Sequence, residues 1–168
     1  GRTPRPPIHS LFREGDMEQM KRMESQSWNV IQVGIVVRDL GKVIAGLSSL
    51  GIGPFEPKIL PAERKEWYRG KPMDAKMRLA GAKIGDVELE LIQPVAGKSP
   101  HQEFLDSKGE GIQHIMVAVD DFAKEFDRLT KKGATILLHA KFPAREIAYL
   151  DLNVGGLIIE LAQKREGQ

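Results

Sequence analysis

Four polar side chains lie where the sequence is otherwise apolar. Gln32 and His114 each interrupt a nearly continuous apolar segment, and Glu90 and Glu160 lie in two segments that resemble each other. A buried carboxylate without a partner is costly, and carboxylate, amide and imidazole groups are all ligands of divalent metal ions. Gln32, Glu90, His114 and Glu160 therefore form a candidate site for one such ion.

The joint occurrence of these residues carries the hypothesis, because each one alone has an ordinary explanation. A single histidine on an apolar strand is more often a hydrogen-bonded core residue, and a single glutamate in a strand usually faces solvent. Glu88, which shares a strand face with Glu90, leaves open that this face is simply wet. We therefore expect Glu88→Ala to be tolerated and Glu160→Ala to abolish binding and chemistry.

An internal repeat relates the four positions in pairs. Gln32 and His114 are separated by the same number of residues as Asp39 and Asp121, two aspartates that suit the starts of helices. The same separation recurs between Gly51 and Gly133, two glycines that suit the ends of helices. Glu90 and Glu160 lie closer together than these pairs, so the second copy is the shorter one. The extra residues of the first copy fall between Pro57 and Asp74.

The repeat predicts an α+β fold of two βαβββ modules that pair into a curved sheet around a central cavity. The predicted strands are 30–37, 54–59, 75–84 and 85–92 in the first copy and 112–119, 135–140, 146–151 and 155–162 in the second. We assign an N-terminal extension (1–28), one domain (29–163) and a tail (164–168). Within the domain, modules 29–94 and 111–163 are joined by a connector, 95–110, with a short helix near 102–108.

Composition excludes several classes of protein and of site. The net charge of +2, from 25 Lys and Arg against 23 Asp and Glu, is too balanced for a nucleic-acid-binding protein. The absence of cysteine rules out disulfides and thiolate zinc sites and leaves any metal to oxygen and imidazole ligands. No apolar run is long enough for a membrane span, so we expect a cytoplasmic protein.

The segments 30–39, 85–94, 111–115 and 156–161, in this order, resemble the vicinal oxygen chelate superfamily, the glyoxalase and bleomycin-resistance fold. Residues 30–163 most resemble the methylmalonyl-CoA epimerase family. The resemblance places the metal ligands on Gln32, Glu90, His114 and Glu160. Such epimerases carry histidine in place of Gln32 and glutamine in place of Glu90. The set found here matches the glyoxalase I type.

The resemblance implies a metal-dependent epimerase that moves the α-proton of an acyl-CoA thioester through a stabilised enolate. Three oxygen ligands and one imidazole suit a six-coordinate Co²⁺, Mn²⁺, Ni²⁺, Mg²⁺ or Zn²⁺ ion with two open positions. Glyoxalase I-type lactoylglutathione lyase activity and non-catalytic binding of a small ligand are the alternatives. A homodimer is expected.

Epimerisation needs an acid/base group on each face of the enolate. The resemblance gives Glu160 as one of them, and Asp74 is the nearest candidate for the other, with Glu66 as a second candidate in the long loop. Residues 61–72, which contain Trp67 and Tyr68, are expected to form either a lid over a phosphorylated carrier or a mobile surface loop. Residues 9–24 are expected to form a short amphipathic helix.

Overall fold

A computed structural model describes residues 13–16, 18 and 28–164. The first half of the chain contains β1 (Asn29–Val36), α1 (Leu40–Ser49), β2 (Glu56–Lys58), β3 (Lys65–Tyr68), β4 (Lys71–Pro72), β5 (Lys76–Ile84) and β6 (Val87–Ala96). The connecting helix α2 (Pro100–Lys108) follows. The second half contains β7 (Gly111–Val119), α3 (Phe122–Lys131), β8 (Thr135–Phe142), β9 (Arg145–Asp151) and β10 (Ile158–Gln163). The predicted helix at 9–24 lies mostly outside the described residues.

The ten strands form one curved sheet in the order β2-β5-β6-β1-β7-β10-β9-β8-β3-β4. β1 and β7 pair antiparallel at its centre, and each pairs in parallel with the closing strand of its own half. The equivalent strands of the two halves therefore lie at mirrored places about the β1–β7 pair. The predicted α+β fold of two βαβββ halves is confirmed.

Both outer helices begin and end as the repeat predicts. The Asp39 carboxylate accepts a hydrogen bond from the Lys42 amide at the start of α1, and Asp121 caps α3 in the same way. Gly51 and Gly133, just past the helix ends, have φ of 78° and 99°, a conformation that glycine adopts without a Cβ penalty. None of the helices in the described ranges has the length and apolar composition to span a membrane.

Alternation along the closing strands separates the core from the cavity. Leu91 and Leu161 are fully buried under the helices, and each such side chain contributes roughly 1.5–3 kcal/mol. A slip of one residue would turn these leucines to the opposite face. Their burial therefore fixes a register in which Glu90 and Glu160 point to the concave side.

Residues 61–72 are not simply the mobile surface loop that was one of the two expectations, and a lid over a phosphorylated carrier stays a prediction. Residues 65–72 form the hairpin β3–β4, and β3 pairs antiparallel with β8 of the second half. The hairpin thereby covers the outer edge of the second half-sheet, whose β8 would otherwise expose unpaired backbone groups. The hairpin is therefore part of the sheet: its residues belong to the first half of the chain, and its strand β3 extends the sheet of the second half.

Candidate metal centre

The four predicted ligands come from the four central strands, β6, β1, β7 and β10. None of these four residues is more than 9 % exposed. Glu90, His114 and Glu160 each offer a ligand atom, and these atoms all lie within 4.8 Å of one another. Gln32 lines the same small cavity, of about 60 Å³, as Glu90 and Glu160. The structure thus gathers all four side chains in one place on the concave face.

Two buried atoms in this group have no hydrogen-bond partner, the Oε1 of Gln32 and the Nε2 of His114. In both side chains the other polar atom is engaged. Gln32 Nε2 donates to Glu88 Oε1 at 2.6 Å, and His114 Nδ1 lies 3.1 Å from Gln113 Oε1. An unsatisfied buried polar atom costs about 1–3 kcal/mol. The two unsatisfied atoms are a lone-pair oxygen and a lone-pair nitrogen, the kinds of atom that bind a cation.

The spacing of the ligand atoms fits a single ion. His114 Nε2 lies 3.2 Å from Glu160 Oε2, although the two atoms do not have the geometry of a hydrogen bond. Two ligands at about 2.1 Å from an octahedral ion, at right angles to each other, are about 3 Å apart. The residues present therefore suit a divalent metal ion held by three oxygens and one imidazole.

In the second half, neutral buried groups hold His114. Gln113 Nε2 donates to the Pro100 carbonyl at 2.8 Å, which directs Gln113 Oε1 at the Nδ1 atoms of both His101 and His114. The Tyr149 ring packs against His114 with centroids 4.5 Å apart. An Nδ1–H bonded to a carbonyl-type oxygen fixes the tautomer that leaves Nε2 free as a ligand.

Sequence reasoning missed His101, Gln113 and Tyr149. A β-bulge explains why Gln113 was missed. Gly34 pairs with His114 and Ile35 with Ile112, so that Gln113 is the extra residue of β7. The bulge allows both Gln113 and His114 to be buried beside the connector helix, which strict alternation would forbid. Burial, followed by the nearby His114, lowers the pKa of His101 to about 4, so that its ring is neutral.

Gly34 makes room for the imidazole. A Cβ atom at this position would lie 2.0 Å from His114 Cε1, far inside van der Waals contact. The equivalent position of the second half is Met116, which pairs with Gln32 as Gly34 pairs with His114. A slender amide tolerates methionine opposite it, whereas the imidazole ring requires glycine.

In the first half, charged groups hold the ligands. Lys58 Nζ lies 2.5 Å from Glu88 Oε1 and 2.8 Å from Glu90 Oε1. Burial, and then the charge of Glu160, raise the pKa of Glu90, although Lys58 acts in the opposite direction. Glu88 is therefore more than a solvated side chain, because it contacts both Gln32 and the lysine that holds Glu90.

Glu160 has a different electrostatic environment from Glu90. Burial alone would raise the pKa of Glu160, but His114, Arg145 and Tyr149 outweigh it and keep that pKa below the usual value. Burial and the nearby carboxylates of Glu160 and Glu90 raise the pKa of the Tyr149 phenol well above its usual range. Glu160 is thus available as an ionised carboxylate beside a protonated phenol.

The structure does not bring Asp74 to this cavity. Asp74 is exposed and lines a separate surface depression with Tyr68 and Lys98. Glu66 does line the cavity, and its carboxylate accepts a hydrogen bond from Arg64 Nε at 3.0 Å. The pairing of β3 with β8 explains this placement, because it sets Glu66 opposite Ala140.

Comparison with known proteins now decides the family. Residues 31–149 match the profile of the glyoxalase/bleomycin resistance protein/dioxygenase superfamily. The chain belongs to this superfamily. The resemblance to this superfamily seen in the sequence is thereby confirmed.

The chain is also similar to three individual proteins. The uncharacterised protein YqjC of Bacillus subtilis is 27 % identical over 101 residues, which cover 56 % of this chain and 71 % of YqjC. Methylmalonyl-CoA epimerase from Mycobacterium tuberculosis superposes with a TM-score of 0.62 at 24 % identity, over 87 % of this chain and 95 % of its own. A Streptomyces coelicolor methylmalonyl-CoA epimerase variant bound to 2-nitronate-propionyl-CoA gives 0.61 at 22 % identity, over 82 % and 94 %. At these identities the structural matches show a shared fold.

Proposed function

We propose that this superfamily member is a metal-dependent epimerase or isomerase that moves the α-proton of an acyl thioester, of the methylmalonyl-CoA epimerase type. The observation that carries the proposal is the buried group of Glu90, His114 and Glu160, whose ligand atoms lie within 4.8 Å of one another beside two unsatisfied lone-pair atoms. The fold shared with methylmalonyl-CoA epimerases supports the substrate class.

Gln32, Glu90, His114 and Glu160 would hold the ion. When bound, a divalent ion supplies Lewis-acid stabilisation of the negative charge that develops on the thioester oxygen when the α-proton leaves. The protein's own groups do the rest. Glu160, ionised and buried, accepts the α-proton, while Tyr149 and His114 fix its position. The apolar wall of the cavity, which includes Leu79, excludes water.

A second acid/base group must face the other side of the enolate if the configuration is to invert. Asp74, the residue expected from the sequence, lies outside the cavity, whereas Glu66 lies within it. We therefore assign the second role to Glu66. Arg64 holds the Glu66 carboxylate, and the β3–β8 pairing brings it to the side of the cavity formed by the second half-sheet.

Solvent-deuterium exchange at the substrate α-carbon tests the proposal. Wild-type protein with added Co²⁺ or Mn²⁺ should exchange the α-proton of methylmalonyl-CoA and interconvert its stereoisomers. Glu160→Gln should lower the rate of exchange by about 10²–10⁴-fold, the usual contribution of a general base. Glu66→Gln should still exchange the proton of one stereoisomer without inverting it, and Asp74→Asn should invert normally. Absence of exchange in metal-loaded wild-type protein would contradict the proposal.

One observation favours a second candidate, a glyoxalase I-type lyase. The ligand set Gln32, Glu90, His114 and Glu160 matches that type residue by residue. Both reactions begin with proton removal next to a polarised carbonyl. Parallel assays with methylmalonyl-CoA and with methylglyoxal plus glutathione separate the two activities. The absence of stoichiometric metal in purified and reconstituted protein would indicate a binding protein instead.

A further inference from the structure

Two basic side chains near the cavity are engaged by the protein's own carboxylates. Arg64 Nε lies 3.0 Å from Glu66, and Lys58 Nζ lies 2.8 Å from Glu90 and 2.5 Å from Glu88. A further positive charge that lines the cavity without such a contact is available to an anionic group of a ligand.

Arg145 supplies such a charge. It is the first residue of β9, lines the same cavity and is only partly exposed. Its guanidinium lies 5.8 Å from the centre of the Phe142 ring, another residue of the cavity wall. Within residues 28–164, Arg145 forms no ion pair with any carboxylate, and its charge is felt by Glu160 only at longer range.

The position of Arg145 also makes it reachable. It lines a second, larger groove of about 440 Å³ together with Phe122, Phe126 and His139. Arg145 therefore lines both the cavity that contains the metal ligands and a groove that opens to solvent.

We propose that Arg145 binds an anionic group of the substrate and thereby selects acids or phosphorylated thioesters over neutral compounds. A guanidinium presents a planar pair of donors to a carboxylate or phosphate, and stacking on an aromatic ring holds those donors in place. The inference rests on the proposed function for the identity of the thioester. The anion has two candidate sources, the carboxylate of the reacting acyl group and the phosphates of coenzyme A.

Kinetics on three thioesters distinguish the two sources. Methylmalonyl-CoA has both anions, methylmalonyl-pantetheine has only the carboxylate, and propionyl-CoA has only the phosphates. Arg145→Gln should raise KM for α-proton exchange by about tenfold to a hundredfold, the loss expected for a hydrogen-bonded charge pair. If the carboxylate is bound, both methylmalonyl thioesters are affected and propionyl-CoA is not. If phosphate is bound, only the two CoA thioesters are affected.

Controls tie the effect to the guanidinium. Arg78→Gln removes an exposed arginine of β5 and should change KM for none of the three. Arg145→Lys should recover part of the loss, since it keeps the charge without the paired donors. A KM unchanged in Arg145→Gln for all three thioesters, or an equal change for all three, would overturn the proposal.

Binding to the metal-free protein separates this inference from the proposed function. Calorimetric titration with malonate and with coenzyme A should show that one of them binds, and Arg145→Gln should weaken that binding at least about tenfold while Arg78→Gln does not. Arginine-dependent binding without any proton exchange would refute the proposed reaction and leave the anion site standing. If neither compound binds, or if both bind equally well to wild type and Arg145→Gln, the anion site is refuted.

Discussion

The two halves of the sheet hold equivalent ligands by different physical means. In the second half, His114 and Glu160 are held by the amide of Gln113, the ring of Tyr149 and the neutral His101. In the first half, Lys58 and Glu88 hold Gln32 and Glu90 through charge-assisted hydrogen bonds. The ligands thus lie at equivalent places in the two halves, but the side chains that surround them differ. If the protein acts as proposed, the second half is suited to proton transfer and the first half to anchoring the ion.

The largest expected effect is a difference in α-proton exchange rate between variants of the two equivalent glutamates, Glu160 and Glu90. Glu160→Gln should lower the rate of α-proton exchange by about 10²–10⁴-fold, the usual worth of a general base. Glu90→Gln should lower it far less, because an amide oxygen can still bind a metal and still accept from Lys58. Exchange rates measured at saturating metal test this. Equal losses in the two variants would show that both halves supply the base.

The second prediction concerns the groups behind the ligands. Gln113→Leu removes the acceptor shared by two buried histidines and should weaken metal affinity by about 10–100-fold, as loss of such supporting groups usually does. Glu88→Gln keeps an oxygen for Gln32 and Lys58, so the loss should be smaller than tenfold. Competition for Co²⁺ with a chelator of known affinity measures both. A larger loss of metal affinity in Glu88→Gln than in Gln113→Leu would show that the charged groups of the first half matter more for metal binding than the neutral groups of the second.

The repeat made the fold predictable, as well as the gathering of Gln32, Glu90, His114 and Glu160 in one place, because it assigns these residues to equivalent places in the two modules. It could not predict the burial of Gln113, because this residue lies in a bulge of β7, as the equivalent Ile31 does in β1, and a bulge interrupts the alternation by which a strand is recognised in a sequence. It also could not predict Glu66. That residue reaches the cavity only because β3 pairs with β8, a contact between segments far apart along the chain that local pattern does not encode. Counting back along the chain led instead to Asp74.

The third prediction concerns the glycine under the imidazole. Gly34→Ala should destabilise the protein by about 1–3 kcal/mol, the usual cost of overpacking, and should weaken metal binding by displacing His114. Gly46→Ala is the matched control in α1, where a Cβ meets nothing within 4 Å. That change should stabilise by about 0.5–1 kcal/mol. Urea unfolding of both variants gives the comparison, and an unaffected Gly34→Ala variant would mean that the ring does not need this space.

The smallest expected effect on stability concerns the hydrogen bond between Trp28, which precedes β1, and Glu125 of α3. Trp28 Nε1 donates to Glu125 Oε1 at 2.8 Å, and Arg128 forms two hydrogen bonds with the same carboxylate. The Arg128 contacts, opposed by burial and aided by Trp28, lower the pKa of Glu125 below its ordinary 4.5. Glu125→Gln should therefore cost about 1 kcal/mol of unfolding free energy at neutral pH.

The sign of the pH dependence follows from that lowered pKa. A carboxylate with a depressed pKa in the folded state stabilises the protein above its unfolded pKa, and this stabilisation is lost as pH falls through the folded value. The difference between wild type and Glu125→Gln should be constant above pH 4.5 and shrink below it. Asp127→Asn, which breaks the exposed Lys131–Asp127 pair of the same helix, should cost less than about 0.5 kcal/mol at any pH. Urea unfolding monitored at several pH values decides the matter. A difference for Glu125→Gln that does not shrink as the pH is lowered below 4.5 would show that its carboxylate charge contributes nothing to holding Trp28 and α3 together.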